Sequence, residues 1–130
     1  MLDRIDLHVE VPAVQFRDIT SEQTGETSAQ VRQRVVAARR RQQERFKEKP
    51  KITCNARMGT REIKQHCALD EPTIELLKFA MSDLNLSARA YDRVLKVART
   101  IADLAASEKI IGDYISEAIQ FRSLDRQLWT

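Results

Sequence analysis

Residues 86–104 read LSARAYDRVLKVARTIADL, and the rest of the chain is organised around this stretch. Ser87 is a favourable N-cap for a helix. The apolar residues that follow recur at intervals of three and four, which places them on one helical face. They are Tyr91, Val94, Leu95, Ala98, Ile101, Ala102 and Ala105. The pattern predicts a long helix that faces the core of the domain.

An arginine stands in the first turn of this predicted helix, where local electrostatics disfavours it. The N-terminal end of a helix carries partial positive charge, so aspartate or glutamate would be expected in place of Arg89. An arginine at a position that local electrostatics disfavours indicates a functional residue. The alternative is an ordinary arginine exposed to solvent. Arg93, one turn further along, is interpreted as a solvated surface residue.

The composition favours a single helical domain. The chain has 130 residues, of which 32% are charged and 42% hydrophobic, with only three glycines and three prolines. This leaves little turn chemistry for a many-stranded sheet. No apolar run approaches the roughly twenty residues that span a bilayer, and Asp3, Arg4 and Asp6 do not fit a signal peptide. We therefore expect a cytoplasmic protein with no membrane partner.

Start and stop signals divide the remaining sequence into four further helices. One is predicted from about Ser28 to Phe46, and a short one from a cap at Thr60 to about His66. A third begins at Asp70 with Pro72 near its start and is broken by Asn85. The last begins at Gly112-Asp113, with Ile115, Ala118 and Ile119 facing inward. The fold class predicted is all-α, a small bundle of four or five helices.

The first predicted helix carries a dense basic block. Residues 31–51 hold nine lysines and arginines against two glutamates, a net +7, whereas the whole chain is +3. Val31, Val35 and Ala38 form its apolar stripe, and its second half, which lacks large apolar residues before Phe46, is predicted to be exposed. Such a block fits a polyanion or a solvated helix face. The nucleic-acid contacts predicted from it are Arg39, Arg40, Arg41, Arg45 and Lys47.

The N-terminal residues have the pattern of a strand. Leu7, Val9 and Val11 alternate with polar residues before Pro12, which is the period of a half-buried strand. No partner strand is evident downstream, so we expect this orphan strand to belong to a sheet upstream of residue 1. Residues 1–26 are interpreted as a remnant of a larger core plus a flexible, poorly ordered linker, and residues 27–130 as the helical domain.

The common catalytic and metal-binding motifs are missing from the sequence. Gly25, Gly59 and Gly112 are not followed by Lys-Ser or Lys-Thr, so the chain holds no complete P-loop. It has no nucleophile elbow. Two cysteines and two histidines do not supply a zinc-ligand pattern, and no metal site is expected. What remains is Arg4 before the strand and Arg89 inside the helix, because guanidinium groups match phosphate oxygens.

Three stretches resemble a known family. Residues 2–12, LDRIDLHVEVP, and residues 87–104, SARAYDRVLKVARTIADL, resemble the C-terminal part of magnesium-chelatase-like AAA+ ATPases of the YifB/ComM type. Residues 117–126, EAIQFRSLDR, resemble the closing helix of the same family. The resemblance implies a helical lid after a RecA-like core, in a hexameric ring with ATP between subunits. It also implies that Arg4 matches an arginine finger that reaches a neighbour's γ-phosphate, and Arg89 the sensor 2 arginine of the lid.

Three functions stay open on the sequence. The first is the lid of an ATP-driven DNA-processing motor, because the resemblance extends to helicases linked to natural transformation. Its partners would be its own core, neighbouring subunits and DNA, and the full-length parent would be an ATPase that binds ATP and Mg²⁺. Walker A and B segments are missing here, so we expect the isolated chain to be inactive and without cofactor. The alternatives are a stand-alone nucleic-acid-binding module that uses residues 31–51 and an adaptor that binds a protein partner.

Overall fold

The computed structural model describes residues 5–9, 11 and 25–122, and these form a bundle of five α-helices. The helices are α1 (Ser28–Arg45), α2 (Thr60–His66), α3 (Glu71–Asp83), α4 (Ala88–Leu104) and α5 (Gly112–Gln120). A 3₁₀ turn, Asn55–Arg57, lies between α1 and α2. The described residues contain no strand. The predicted all-α class is therefore confirmed.

Side-chain caps fix where most of the helices begin. Thr27 accepts from the Gln30 N–H at 3.2 Å, and the Gln30 side chain accepts from the Thr27 N–H at 3.0 Å, so the two form a capping box. Asp70 and Ser87 cap α3 and α4 as predicted. The expected cap at Thr60 is one residue late, because Gly59 is the N-cap and its N–H donates to Glu62 at 3.0 Å.

The central helix is α4, which contacts α1, α2, α5 and the 3₁₀ turn. Val94, Ala98 and Ala102 on α4 have no exposed surface, and Ile115 of α5 is equally buried. Burial of such side chains is the main stabilising term of the fold, at about 1.5–3 kcal/mol for each large one. Residues 86–104 therefore contain the core-facing helix that their periodicity predicts.

The sequence periodicity of α4 misplaces some of its residues. Tyr91 and Ala105 were expected to face inward, but both are exposed. Arg99 and Asp103 are buried instead, at 4% and 0% exposure. The reason is that Asp103 accepts hydrogen bonds from Arg45 of α1 and forms an ion pair with Arg99, so the two polar residues occupy the inward face at the C-terminal end of α4.

Helix α1 is buried mainly in its second half. Val31 and Val35, predicted to pack inward, are exposed, whereas Ala38, the third residue of the same predicted stripe, is 3% exposed. The part of the helix after Ala38 is predicted to face solvent, but the chain packs on the bundle there through Gln42 and Phe46, each less than 5% exposed. This correction has a polar cause: the Gln42 side chain accepts a hydrogen bond from the Asn55 N–H at 2.9 Å, so a residue that reads as surface belongs to the interior.

Two helices end in the same C-terminal motif. After α3, the Leu86 N–H donates to Met81 C=O at 3.0 Å, and after α4, the Ser107 N–H donates to Ala102 C=O at 2.8 Å. These are Schellman bonds, which need a residue with positive φ between helix and exit. Asn85 supplies it with φ 51° and Ala106 with φ 58°. Asparagine tolerates this conformation, whereas alanine is strained in it.

Ala106→Gly is expected to raise the free energy of unfolding by about 0.5 kcal/mol. Relief of about 1–2 kcal/mol of left-handed strain exceeds the extra entropy of glycine in the unfolded chain. Ala105→Gly is the matched control, because Ala105 has φ −84° and glycine should lower stability there. Urea denaturation measures both. Equal losses in the two variants would contradict the prediction.

Candidate functional site

The candidate site is the first two turns of α4, where Arg89 is exposed. The Ser87 hydroxyl caps the helix by accepting from the Ala90 N–H at 3.2 Å. No acidic residue lies in the first turn, and among the described residues Arg89 makes no ion pair. Backbone N–H groups at a helix N-terminus and a guanidinium beside them together favour an anion. The sequence-predicted Arg89 therefore lies where a phosphate group could reach it.

A short piece of chain without regular secondary structure lies against the helices beside this site. We call residues 5–9 the N-terminal segment. Its Asp6 carboxylate accepts a hydrogen bond from Arg93, and its Ile5 C=O accepts one from Arg122. The His8 N–H donates to Phe121 C=O at 2.6 Å. The segment is thus held by α4 on one side and by the residues that follow α5 on the other.

The N-terminal segment presents its polar side to the helices. His8 is 4% exposed and Asp6 is half-buried, whereas Ile5, Leu7 and Val9 are 46%, 47% and 64% exposed. The alternation expected of a strand is present, but its apolar side faces outward. An apolar side left exposed in this way is typical of a surface that contacts another part of a protein or a partner.

The structure corrects the interpretation of Arg93 and does not reach Arg4. Arg93 is not simply a solvated surface residue, because it forms an ion pair with Asp6 and its side chain is 25% exposed. Spacing along α4 gave no signal for this pair, since the partner lies 87 residues away. Arg4 lies outside the described residues, as does most of the 1–26 stretch expected to be poorly ordered.

The predicted nucleic-acid contacts of α1 have different surroundings. Arg39, Arg40 and Arg41 are exposed, and Arg41 donates to Asp103 C=O at 3.1 Å. Lys47 is exposed and pairs with Glu44 at 2.7 Å. Arg45 points into the protein: it donates to both carboxylate oxygens of Asp103 at 2.9 and 2.6 Å. The guanidinium of Arg45 is therefore used inside the fold.

A buried polar cluster joins α1, the 3₁₀ turn and α4. Its centre is Asp103, which accepts hydrogen bonds from Arg45 and from Asn55 Nδ2 at 2.9 Å and lies 3.2 Å from Arg99. Burial alone would raise the pKa of Asp103, but the hydrogen bonds from Arg45 and Asn55 and the charge of Arg99 outweigh burial and lower it. Asp103 is therefore a carboxylate in the folded protein.

An open groove of about 540 Å³ borders this cluster between α1 and the loop after α4. Arginines and carboxylates both line it, and Asp103 already compensates two of the arginines. The Arg99 guanidinium also donates to Ser107 C=O at 2.6 Å and Glu108 C=O at 2.9 Å. The interactions at the groove therefore serve mainly to fix the loop after α4.

The two cysteines have opposite environments. Burial acts to raise the pKa of Cys54, but hydrogen bonds from Arg39 and from backbone groups of Ala56 and Arg57 lower it overall. Burial raises the pKa of Cys67 to about 11. Neither cysteine is in a disulfide. In the described part of the chain, no group of three or more His, Cys, Asp or Glu side chains is arranged to hold a metal ion.

Comparison with known proteins identifies the family. The family described as magnesium chelatase, subunit ChlI C-terminal, matches residues 25–122. The chain is 41% identical over 128 residues to competence protein ComM of Haemophilus influenzae. It is 42% identical over 131 residues to the YifB protein of Escherichia coli. Each alignment covers 98% of this chain but only 24% of the relative.

These matches confirm the resemblance to the YifB/ComM type. Within the described residues, no helix combines the length and apolarity needed to cross a membrane. The family match takes in all five helices, including Arg89 and Arg93. The chain therefore belongs to the family of magnesium chelatase subunit ChlI C-terminal domains.

Proposed function

We propose that this chain is the lid of an AAA+ ATPase and that Arg89 senses the phosphates of the bound nucleotide. The observation that carries the proposal is the exposed Arg89 in the first turn of α4, with no ion-pair partner among the described residues. Membership of the chelatase C-terminal family supports it, and so does the length of the relatives, of which the chain spans 24%. The remaining length leaves ample room for a nucleotide-binding core.

The position of Arg89 on the central helix suits a sensor. A guanidinium that pairs with a terminal phosphate gains charge-assisted hydrogen bonds, and these are lost when the phosphate leaves. Helix α4 contacts most of the other elements, so a displacement of its N-terminal end moves the bundle as a unit. Nucleotide state would thereby be converted into a change of lid angle.

Arg4 has a separate role in the proposal. It would act as an arginine finger on the γ-phosphate bound by a neighbouring subunit of a ring, where it stabilises charge in the transition state. ATP and Mg²⁺ would be held by the core of the longer protein. The motor would process DNA, an extension supported by the competence relative and by the basic block of α1.

The proposal is tested by ATP turnover of the full-length protein with Arg89 replaced by alanine. A fall in turnover with an unchanged fold is required. Undiminished turnover contradicts the proposal, because Arg89 would then have no part in sensing nucleotide.

A second candidate function is direct nucleic-acid binding by α1, which the exposure of Arg39 and Arg40 favours. If it holds, the 130-residue chain binds duplex DNA, and its affinity falls steeply between low and high salt because counterions are released. Arg39→Ala and Arg40→Ala should each reduce the salt slope by about 1. Arg61→Ala, an exposed arginine on α2, is the matched control.

The lid proposal gives the opposite result in the same experiment. A lid that acts through its core needs no appreciable affinity for DNA in isolation. Fluorescence anisotropy of a labelled duplex at two salt concentrations separates the two functions. Weak binding that Arg39→Ala and Arg61→Ala change equally would reject the stand-alone module.

A further inference from the structure

We propose that Arg93 is a positioning residue: through Asp6 it holds the N-terminal segment against the helix that carries Arg89. The inference rests on the proposed function, because it concerns how a movement of the lid is passed on to another part of the chain. It adds a residue that neither the family match nor the sequence pattern assigns. Its basis is the set of contacts by which residues 5–8 lie against α4 and the end of α5.

The first step is the geometry on α4. Arg93 follows Arg89 by four residues, which is one turn, so the two side chains leave the helix from neighbouring positions on one face. Arg89 remains exposed, whereas Arg93 donates to the Asp6 carboxylate. Its side chain is 25% exposed and that of Asp6 is 45% exposed, so the pair is partly shielded from water. One turn of helix thus presents one arginine outward and uses the next to hold another part of the chain.

The second step is that the N-terminal segment is held at more than one point. Arg122, only 1% exposed, donates to Ile5 C=O, and the His8 N–H donates to Phe121 C=O at 2.6 Å. These contacts lie on either side of Asp6 in the sequence. A piece of chain fixed at residues 5, 6 and 8 has little freedom to rotate or slide relative to the helices.

The third step connects the contacts to the proposed function. Val94 and Ala98 of α4 pack in one core with Ile115 and Ala118 of α5, so the two helices that hold the segment move together. A change of lid angle that begins at Arg89 would therefore be passed to the N-terminal segment through the Asp6–Arg93 pair. The change of lid angle would not have to be transmitted along the chain between the N-terminal segment and α1.

Hydrogen exchange in the 130-residue chain tests the holding contact itself. Arg93→Ala should increase exchange of the His8 amide roughly tenfold, because a partly buried charge-assisted hydrogen bond contributes about that factor. Exchange of the core amides of Val94 and Ile115 should not change, and Arg61→Ala should alter neither. Unchanged exchange at His8 would overturn the inference.

Turnover of the full-length protein tests the positioning role. Arg93→Ala should lower kcat for ATP about tenfold with KM nearly unchanged, because the N-terminal segment would no longer follow the lid during turnover, whereas the groups that bind nucleotide in the ground state are untouched. Arg93→Lys should keep part of the activity. The exchanged pair Asp6→Arg with Arg93→Asp should recover activity that either single change loses, and failure of this recovery would overturn the inference.

The outcomes separate this inference from the proposed function. If Arg89→Ala lowers turnover and Arg93→Ala does not, the lid function stands and the positioning role is rejected. If Arg89→Ala and Arg93→Ala both leave turnover unchanged, both proposals are rejected, whatever the exchange of His8 shows. A rise in KM without a change in kcat for Arg93→Ala would mean that Arg93 contacts nucleotide, which also rejects a positioning role.

Discussion

Asp103→Asn is expected to lower the free energy of unfolding by about 3 kcal/mol, the cost of leaving buried charges without their partner. Asp103 has no exposed surface and accepts two hydrogen bonds from Arg45, whose side chain is 15% exposed. Arg99 lies 3.2 Å away with a side chain 5% exposed. Asparagine keeps the shape but removes the charge that both arginines face. Urea denaturation monitored by circular dichroism measures the change.

The matched control is Glu108→Gln, which changes a carboxylate at the rim of the same groove. Glu108 is exposed, and its side chain forms no ion pair among the described residues, so its replacement should leave the unfolding midpoint unchanged. A loss below about 1 kcal/mol in Asp103→Asn would show that the cluster is not a major source of stability.

The same cluster gives the stability a specific dependence on pH. Burial would raise the pKa of Asp103, but hydrogen bonds from Arg45 and Asn55 lower it below its usual value. The stabilising contribution is therefore complete above the pKa of an unfolded aspartate, about 3.9, and is lost as the pH falls through the lower pKa of the folded state. The stabilities of the native chain and Asp103→Asn should converge as the pH falls below about 4.

Arg89→Ala in the full-length protein is expected to lower ATP turnover about 100-fold, which is the order of the loss when one preorganised hydrogen-bond donor to transition-state charge is removed. Part of the loss should appear as weaker nucleotide binding, because a sensor also contacts the ground state. Arg89→Lys should recover only part of the activity, since lysine keeps the charge but not the bidentate geometry. Steady-state kinetics of ATP hydrolysis gives both kcat and KM.

Two controls make the Arg89 experiment decisive. The side chain is exposed and forms no described ion pair, so the thermal unfolding of Arg89→Ala should match that of the native protein. Arg61→Ala removes an exposed arginine from α2 and should leave turnover unchanged. Equal turnover in Arg89→Ala and Arg61→Ala would remove the basis for a sensor on α4.

The helices were predictable because their ends are set by local chemistry. Ser87 and Asp70 cap α4 and α3 through bonds to N–H groups three residues away, and such bonds depend on neighbours in the sequence. Asn85 ends α3 because it adopts positive φ readily. Periodicity also identified α4 as the core-facing helix. These features need no information about distant parts of the chain.

The buried polar cluster could not be predicted, because its partners are far apart in sequence. Arg45 and Asp103 are separated by 58 residues, and Asn55 and Thr100 by 45. By composition, the second half of α1 reads as a surface, but Gln42 and Arg45 are satisfied by groups on other elements. Arg99 and Asp103 on the inward face of α4 were the one available signal, since two charged residues one turn apart favour a pair.

The candidate site was predictable in part. Arg89 was identified because it opposes the local preference at a helix N-terminus, and the structure leaves it exposed in the first turn of α4. The ion pair of Arg93 was not predictable, because its partner Asp6 lies in another part of the chain. Alternation in the N-terminal segment was predictable, but the sequence did not show that its polar side lies against the helices. The hydrophobicity of a segment alone does not show which of its sides packs against the rest of the protein.

The contacts of the N-terminal segment bear on how this region should be produced for study. A truncated chain that starts at residue 27 would lose the Ile5 carbonyl that accepts from Arg122 and the His8 amide that covers Phe121. The Arg122 side chain, which is 1% exposed in the complete chain, would then contact water at the end of α5. A chain that keeps residues 5–9 keeps Arg122 buried, but it also keeps the exposed apolar side chains of Leu7 and Val9. Polar replacements at these two positions should therefore improve solubility.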